Sequence, residues 1–464
     1  MLFPTVQFGL FFPPVLVLSW VLMSRPRLWK PFIVVASYCF YAAADPLFCF
    51  LLAGVTLGNQ AAALLMGRTD RAGVRKAIMI TAVALDLLDL GVFKYYGFFA
   101  ESVDKLASDF GLGLPIGLAT IALPVGISFF TFQAISYTVD VYRREVPAGK
   151  TIDVAVYLSF FPHLVAGPIV RAREFLPQLE KPRDPNRVAV GPALMLIGMG
   201  LVKKVVIADY LGSHAVDPVF GAPAVYHGPD VLLSAYAYAA QIYCDFSGYT
   251  DIAIGLALLM GYVFPQNFDR PYSAKSLRDF WRRWHMTLSR FLRDFLYIPL
   301  GGNRGGRVRR YRNVVITMLL GGLWHGAAWT FVLWGGWHGI GLVVEDLFRG
   351  RVKIPTWLQR VLTFHVVLIG WILFRAQSLS LTGQWFARLA HWGGSPQNFG
   401  VATVVMILVV MIGQNLPERP LERMRQWIEN LQPALLGAAL ALTIMLVGAT
   451  VSSQGVAPFI YFRF

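Results

Sequence analysis

The sequence predicts an all-α polytopic membrane protein, and three observations carry that prediction. Of its 464 residues 56% are hydrophobic and only 14% are charged, whereas a soluble domain carries about a quarter charged residues. Its mean hydropathy is +0.55, more apolar surface than a water-soluble chain of this size can cover with polar groups. The apolar residues fall in long unbroken runs, which suit helices that satisfy their own backbone groups. They do not suit the short alternating strands of a transmembrane barrel. A soluble enzyme, a disordered chain and a disulfide-rich secreted scaffold are excluded together.

The apolar segments run over 7–23, 31–44, 46–66, 77–97, 119–139, 153–170, 190–207, 231–260, 313–343, 361–375, 400–414 and 434–451. A span takes about 20 apolar residues, fewer where the backbone is irregular. About 10–12 membrane-embedded helices are therefore expected, in one domain over 1–464. The segment 7–23 is expected to be a retained span, because no basic residue precedes Arg25 and a secretory leader has a charged start. Basic clusters follow at Arg25, Arg27 and Lys30 and at Arg68, Arg71, Arg75 and Lys76. Glu101, Asp104 and Asp109 outweigh Lys105 in an expected loop at 98–118, and the expected loop at 209–230 holds Asp209, Asp217 and Asp230 with no Lys or Arg. Placing the basic loops in the cytoplasm puts the N-terminus outside.

The segment 153–170 breaks that alternation. Arg143, Arg144 and Lys150 precede it, and Arg171 and Arg173 follow. Phe161-Pro162 and Ala166-Gly167-Pro168 interrupt its helix. A re-entrant element that enters and leaves on the cytoplasmic side accounts for both features, and irregular backbone at membrane depth lines a wet cavity or is buried in protein. The largest polar stretch is 265–312, with twelve Lys or Arg from Arg270 to Arg312 against Asp279 and Asp294.

Ionisable residues at membrane depth are costly and therefore functional candidates. Histidine leads, since its ordinary pKa near 6.5 lets it act as acid or base. His325 lies in Gly321-Gly322-Leu323-Trp324-His325-Gly326, in the middle of a long apolar run, where flanking glycines let a ligand or backbone approach. His285 lies in Phe280-Trp281-Arg282-Arg283-Trp284-His285. At helical spacing it shares a face with Trp281, Leu288 and Leu292, a pattern that by itself reads as an interfacial amphipathic helix with a structural histidine, a catalytic role being the alternative. His338, thirteen residues beyond His325, faces away from it in a straight helix and is read either as structural or as supporting the site from behind. His163 and His365 are also read as structural, and His214, His227 and His391 fall in expected loops. Asp245 and Asp251 are expected to cap helices or pair with arginines, and Asp86 and Asp89 to pair with Lys94. The run Asn303–Arg312 either sets topology or holds phosphates of a ligand such as coenzyme A. No metal-binding or nucleotide-loop spacing is present. Cys39, Cys49 and Cys244 lie in apolar stretches and read as small core residues.

Several ordered motifs then resemble the membrane-bound O-acyltransferase (MBOAT) family. They are Leu123–Tyr137 with Asp140–Arg143, Leu164–Arg171, Asp245–Asp251, Asn267–Tyr272, Phe280–His285, Pro299–Arg304 and Gly321–Gly326. The resemblance runs from Phe93-Lys94-Tyr95-Tyr96 to Pro458–Phe462 and is strongest to the bacterial alginate O-acetyltransferase subgroup. One departure stands at His163, where that subgroup leads one to expect Gln. The resemblance implies the MBOAT fold, a ring of helices and re-entrant elements around a central funnel. It implies a multi-pass protein of the bacterial inner membrane that takes acetyl from cytoplasmic acetyl-CoA for an exported polysaccharide. His325 falls on the family's intramembrane histidine and His285 on its polar partner, here expected to orient the thioester or stabilise the oxyanion. Arg304, Arg307, Arg309 and Arg310 are the expected donor-binding residues. No permanently bound cofactor or metal is implied, and an extracytoplasmic acetyltransferase of SGNH-hydrolase type is the expected partner. The alternatives are the sister roles in teichoic acid D-alanylation and peptidoglycan O-acetylation, and, in a different class, a non-catalytic transporter or export channel.

Overall fold

A computed structural model of the protein describes residues 1, 3–111, 122–351, 354–417, 419, 423, 426–427, 431–450, 457 and 459–460. Among the described residues every regular element is helical. The helices Val6–Met23, Phe48–Gly67, Val190–Gly221, Gly228–Leu259 and Thr356–Arg375 are each long and apolar enough to cross a membrane. The expected segment 119–139 begins outside the described residues. The chain forms two compact units.

The first unit comprises Met1–Val188 with Ala257–Phe264. It opens with α1 (Val6–Met23), α2 (Pro26–Ala42), α3 (Phe48–Gly67) and α4 (Ala72–Leu90). Thr5 caps α1 by accepting from Phe8 N. Pro26 sits in the first turn of α2, where its missing N–H leaves no bond unmade. Helix α4 does not end at the polar stretch. A π turn at Gly91–Tyr95 rephases it, and α5 (Tyr96–Asp109) continues. The loop expected at 98–118 is thus helical as far as Asp109. The π turn brings Lys94 to Ser128 Oγ (3.3 Å) while Asp86 accepts from Asn59 Nδ2 (2.8 Å). The ion pair expected between Asp86 or Asp89 and Lys94 does not form.

Helix α6 (Ile127–Tyr142) is buried on nearly every residue. It starts after Gly126 (φ +78°), where a Cβ would stand 2.6 Å from the Leu164 carbonyl oxygen. Arg75 of α4 is buried and donates to the carbonyls of Val141 (3.0 Å) and Tyr142 (3.1 Å) and to that of Met66. A cation thereby sits at the ends of α3 and α6, where helix dipoles favour it. Helices α7 (Thr151–Ser159) and α8 (Phe161–Leu164) are separated at Phe160, the break expected from Phe161-Pro162. Ser37 Oγ takes up the freed Phe161 N–H. His163 donates from Nε2 to the Tyr157 carbonyl (2.8 Å) and packs among Phe160, Phe175 and Phe264, a structural position. Helix α9 (Ala172–Phe175) follows.

The second unit comprises Ala189–Leu256 with Pro265–Phe464. The expected loop at 209–230 is helical as far as Gly221, because α10 (Val190–Gly221) continues through two π turns. His214 consequently lies within α10, stacked on Tyr210. The next helix is α11 (Gly228–Leu259). Lys203 bonds Asp251 (2.6 Å), and Lys204 bonds both Asp245 (2.5 Å) and Asp209 (2.7 Å). The partners of Asp245 and Asp251 are therefore lysines of α10, not arginines or helix ends. There follow α12 (Leu277–Arg283), α13 (Met286–Leu292), α14 (Gly306–His325), α15 (Trp329–Phe348), α16 (Thr356–Arg375), α17 (Leu379–Ala390), α18 (Val401–Asn415) and α19 (Pro433–Thr450). His391 caps the end of α17. His365 in α16 donates to Val361 O (2.7 Å) and accepts from Tyr236 Oη (2.8 Å), again a structural position.

Candidate active site

The apolar run 313–343 is not one helix. Helix α14 ends on His325, and Gly326 leaves it in extended conformation (φ −162°). The Phe331 ring lies directly over Gly326, where any Cβ would collide with it. The break lets α15 fold back along α14. A Cβ at Gly322 would collide with the Phe331 carbonyl, and one at Gly335 with the Met318 carbonyl. Close backbone approach of this kind is what small residues permit in membrane helices. His325 is thereby placed at a helix terminus instead of mid-helix. It is 3% exposed, with the rings of Trp324 (4.9 Å), Trp334 (5.0 Å) and Phe374 (5.3 Å) around it.

The fold-back also changes where His338 points. Its ring does not point away from the His325 surround but packs on Trp334 (5.1 Å) and Trp281 (5.2 Å), with Phe280 stacked beyond. Trp334 therefore stands between His325 and His338.

His285 is likewise not inside a continuous helix. It occupies the turn between α12 and α13 with φ +43°, so the shared face with Trp281, Leu288 and Leu292 does not exist. Asn267 holds this turn. Its backbone carbonyl accepts from Met286 N (2.9 Å). Its side-chain Oδ1 accepts from Thr287 N (3.1 Å), Thr287 Oγ1 (2.9 Å) and His285 Nδ1 (3.2 Å). The Thr287 N–H can only donate, which fixes the oxygen of Asn267 on this side and makes Nδ1 of His285 the protonated nitrogen. The lone pair of the neutral ring is then on Nε2, a fully buried atom without a hydrogen-bond partner among the described residues. Burial holds the imidazole down to about 3 from its usual 6.5, so the ring is neutral. Phe246 packs edge-on at 4.6 Å, and Trp324 lies 6.1 Å away. Trp324 is thus shared by the two histidines that the sequence singled out.

One cavity of ≈ 450 Å³ reaches His325. A single face of α14 lines it, through Arg310, Val314, Thr317, Met318, Gly321 and His325, the i, i+3, i+4 spacing of one helical stripe. Leu288 and Leu292 of α13 and Trp334 of α15 close its apolar walls, while Arg278, Arg282, Arg293 and Arg310 make the far end basic. Asp346 organises that end. It bonds Arg278 (3.1 Å), Arg310 and Tyr311 Oη (3.0 Å). Partial burial of its carboxyl is outweighed by the Tyr311 hydrogen bond and the two guanidiniums, which hold it below the usual carboxylate range. Of the four arginines expected to bind a donor, Arg310 lines the cavity. Arg304, Arg307 and Arg309 are exposed and do not line it. Arg278, Arg282 and Asn267 were not singled out from the sequence. Asn267 falls in a motif quoted above, but nothing local marks it as the clamp on a turn eighteen residues away.

Residues 150–383 match the family described as MBOAT, membrane-bound O-acyltransferase family. The probable alginate O-acetylase AlgI of Pseudomonas aeruginosa is 42% identical over 401 residues, covering 85% of this chain and 75% of that protein. The peptidoglycan O-acetyltransferase of Helicobacter pylori is 34% identical over 420 residues, with 82% of this chain and 78% of the relative covered. The teichoic acid D-alanyltransferase of Streptococcus thermophilus is 28% identical over 295 residues, 57% of this chain and 70% of that protein. The matched segment holds both histidines, Asn267 and every residue that lines the cavity, and the chain belongs to the membrane-bound O-acyltransferase family, whose members are multi-pass membrane acyltransferases.

Proposed function

We propose that this chain is the membrane O-acetyltransferase of an exported polysaccharide, drawing acetyl from cytoplasmic acetyl-CoA at a bacterial inner membrane. The observation that carries this reading is one cavity with an imidazole at one end and guanidiniums at the other. Arg310 and His325 are fifteen residues apart on α14, about 22 Å at 1.5 Å per residue. A donor that fits has phosphates at one end of a long thin arm and a thioester at the other, as acetyl-CoA does. The similarity to alginate O-acetylases supports a polysaccharide hydroxyl as the final acceptor, reached with an extracytoplasmic SGNH-type partner.

In the direct route, His325 takes the proton of the acceptor hydroxyl as its oxygen attacks the thioester carbonyl. The C–S bond breaks, and the thiolate of CoA leaves and receives that proton. In the two-step route His325 itself carries the acetyl group. His285 does not line this cavity; its buried Nε2 is an acceptor on the far side of Trp324, from which it would orient a hydroxyl or relay a proton. The oxyanion role expected for it would need a protonated ring.

The test is turnover of labelled acetyl-CoA by the full-length protein in lipid nanodiscs. His325→Ala is expected to fold yet lose about 10²–10⁴-fold in rate. Arg278, Arg282 and Arg310 replaced together by Gln are expected to raise KM for acetyl-CoA and leave turnover of acetyl-pantetheine, which lacks the phosphates at issue, unchanged. A folded His325→Ala protein at wild-type rate would overturn the assignment. Equal use of both donors by the wild type would favour a carrier-protein donor, as in the D-alanylation branch.

A further inference from the structure

A second cavity, of ≈ 540 Å³, lies in the first unit between α3 and α4. Gly54, Gly58 and Ala61 of α3 and Ala77 and Thr81 of α4 are exposed along its walls. A Cβ at Gly54 or Gly58 would meet nothing within 4 Å, so these glycines are not required for packing inside the chain. Spacings of three and four residues between small side chains are those at which a second helix approaches closely in a membrane. The floor of the groove is acidic. Asp86 is 3% exposed; its Oδ1 accepts from Asn59, and its Oδ2 has no hydrogen-bond partner among the described residues. Asp89 lies one turn further along the same wall, and no Lys or Arg lines the groove. Asp86 is ten residues beyond Lys76, about 15 Å along the helix, which is half the thickness of a hydrocarbon core.

We infer that this groove docks a single transmembrane helix of another protein, one that carries a Lys or Arg near its midpoint. The small residues admit the helix, and the carboxylate left unsatisfied at the floor takes the cation. An unpaired polar group at this depth is expensive, and a partner donor satisfies it. A second copy of this chain is disfavoured, because a symmetric contact through the groove would set the same carboxylates against each other. The inference does not depend on the acyl donor or acceptor.

A designed probe tests it. The full-length protein with Cys39→Ala, Cys49→Ala and Gly58→Cys is placed in nanodiscs with a synthetic Leu/Ala single-span peptide. The peptide carries one central Lys and a Cys one turn away, and a companion peptide has Leu in place of Lys. Disulfide yield under mild oxidation is expected to be roughly three- to thirtyfold higher for the Lys peptide, the range of an interhelical polar contact in a membrane. Asp86→Asn should remove that preference. Because Asp86 also holds Asn59, Gly54→Leu serves as a second variant on an exposed surface and should block both peptides. Equal yields for the two peptides would assign the groove to lipid and overturn the proposal. Gly58→Cys dimers without peptide, or a preference that survives Gly54→Leu, would overturn it too.

Discussion

His285 adopts a left-handed backbone conformation that costs a non-glycine residue about 1–3 kcal/mol, and Asn267 is what keeps it there. Asn267→Ala removes the acceptor of three hydrogen bonds. It should lower stability by about 1–3 kcal/mol and reduce kcat while KM for acetyl-CoA stays unchanged, read by thermal melting and steady-state kinetics. His285→Gly separates backbone from chemistry. Glycine favours the same conformation, which offsets part of the cost of the cavity left by the buried ring, so this variant should still fold, with a lowered melting temperature, yet lose roughly 10²–10⁴-fold in rate. Wild-type activity in His285→Gly would reduce the histidine to a turn former. The sequence picks out His285 as a titratable ring in an aromatic setting, but not its turn. Phe280–Asp294 contains no Gly or Pro and carries a helical pattern throughout. The break is imposed by Asn267, which local pattern cannot register.

At the scale of elements, α14 and α15 decide where the chemistry sits. Glycine beside His325 signals close approach in the sequence, and Gly322 does touch the α15 backbone. The glycines of 313–343 signal a broken helix, but the fold-back of α15 along α14 is hidden, since a buried turn leaves no polar trace in an apolar run. That hidden turn is why His338 seems remote from His325 in sequence and shares Trp334 with it in space. Gly335→Val should overpack the crossing by about 1–3 kcal/mol or more and cut the yield of monodisperse protein. Gly336→Ala, which meets only an ordinary contact with Leu319, should be neutral. His338→Ala should lower the melting temperature, with the surviving folded fraction retaining measurable acetyl transfer.

For the whole molecule, the Lys and Arg asymmetry gives an orientation that the helices refine. Asp109 closes α5 instead of lying in a loop, and Val308 is exposed in the first turn of α14. Cysteines introduced as Asp109→Cys and Val308→Cys should react with a membrane-impermeant thiol reagent from opposite faces of sealed vesicles, with 308 cytoplasmic. Reaction of both from one face would reverse the assigned topology. The all-α class and the break near Phe161-Pro162 were legible because they follow from composition and proline chemistry. The extent of α5 and α10 was not, since π turns carry a helix across polar residues without a signature in the apolar pattern.

The unbroken stripe from Arg310 to His325 has a consequence for how this enzyme can tolerate change. Each residue of an α-helix advances the direction of the next side chain by about 100°. One residue inserted between Val314 and Gly321 would swing His325 out of phase with Arg310, onto the side of α14 packed against α15, although neither residue is altered. Seven inserted residues would restore the phase to within about 20° but separate the two by a further ~10 Å. Insertions and deletions in this helix are therefore forbidden by angle at short lengths and by distance at longer ones. On the donor arrangement proposed above, the reach of the donor is written into the residue count of α14, and a relative that accepts a donor of different length is expected to differ there in number of residues as well as in kind.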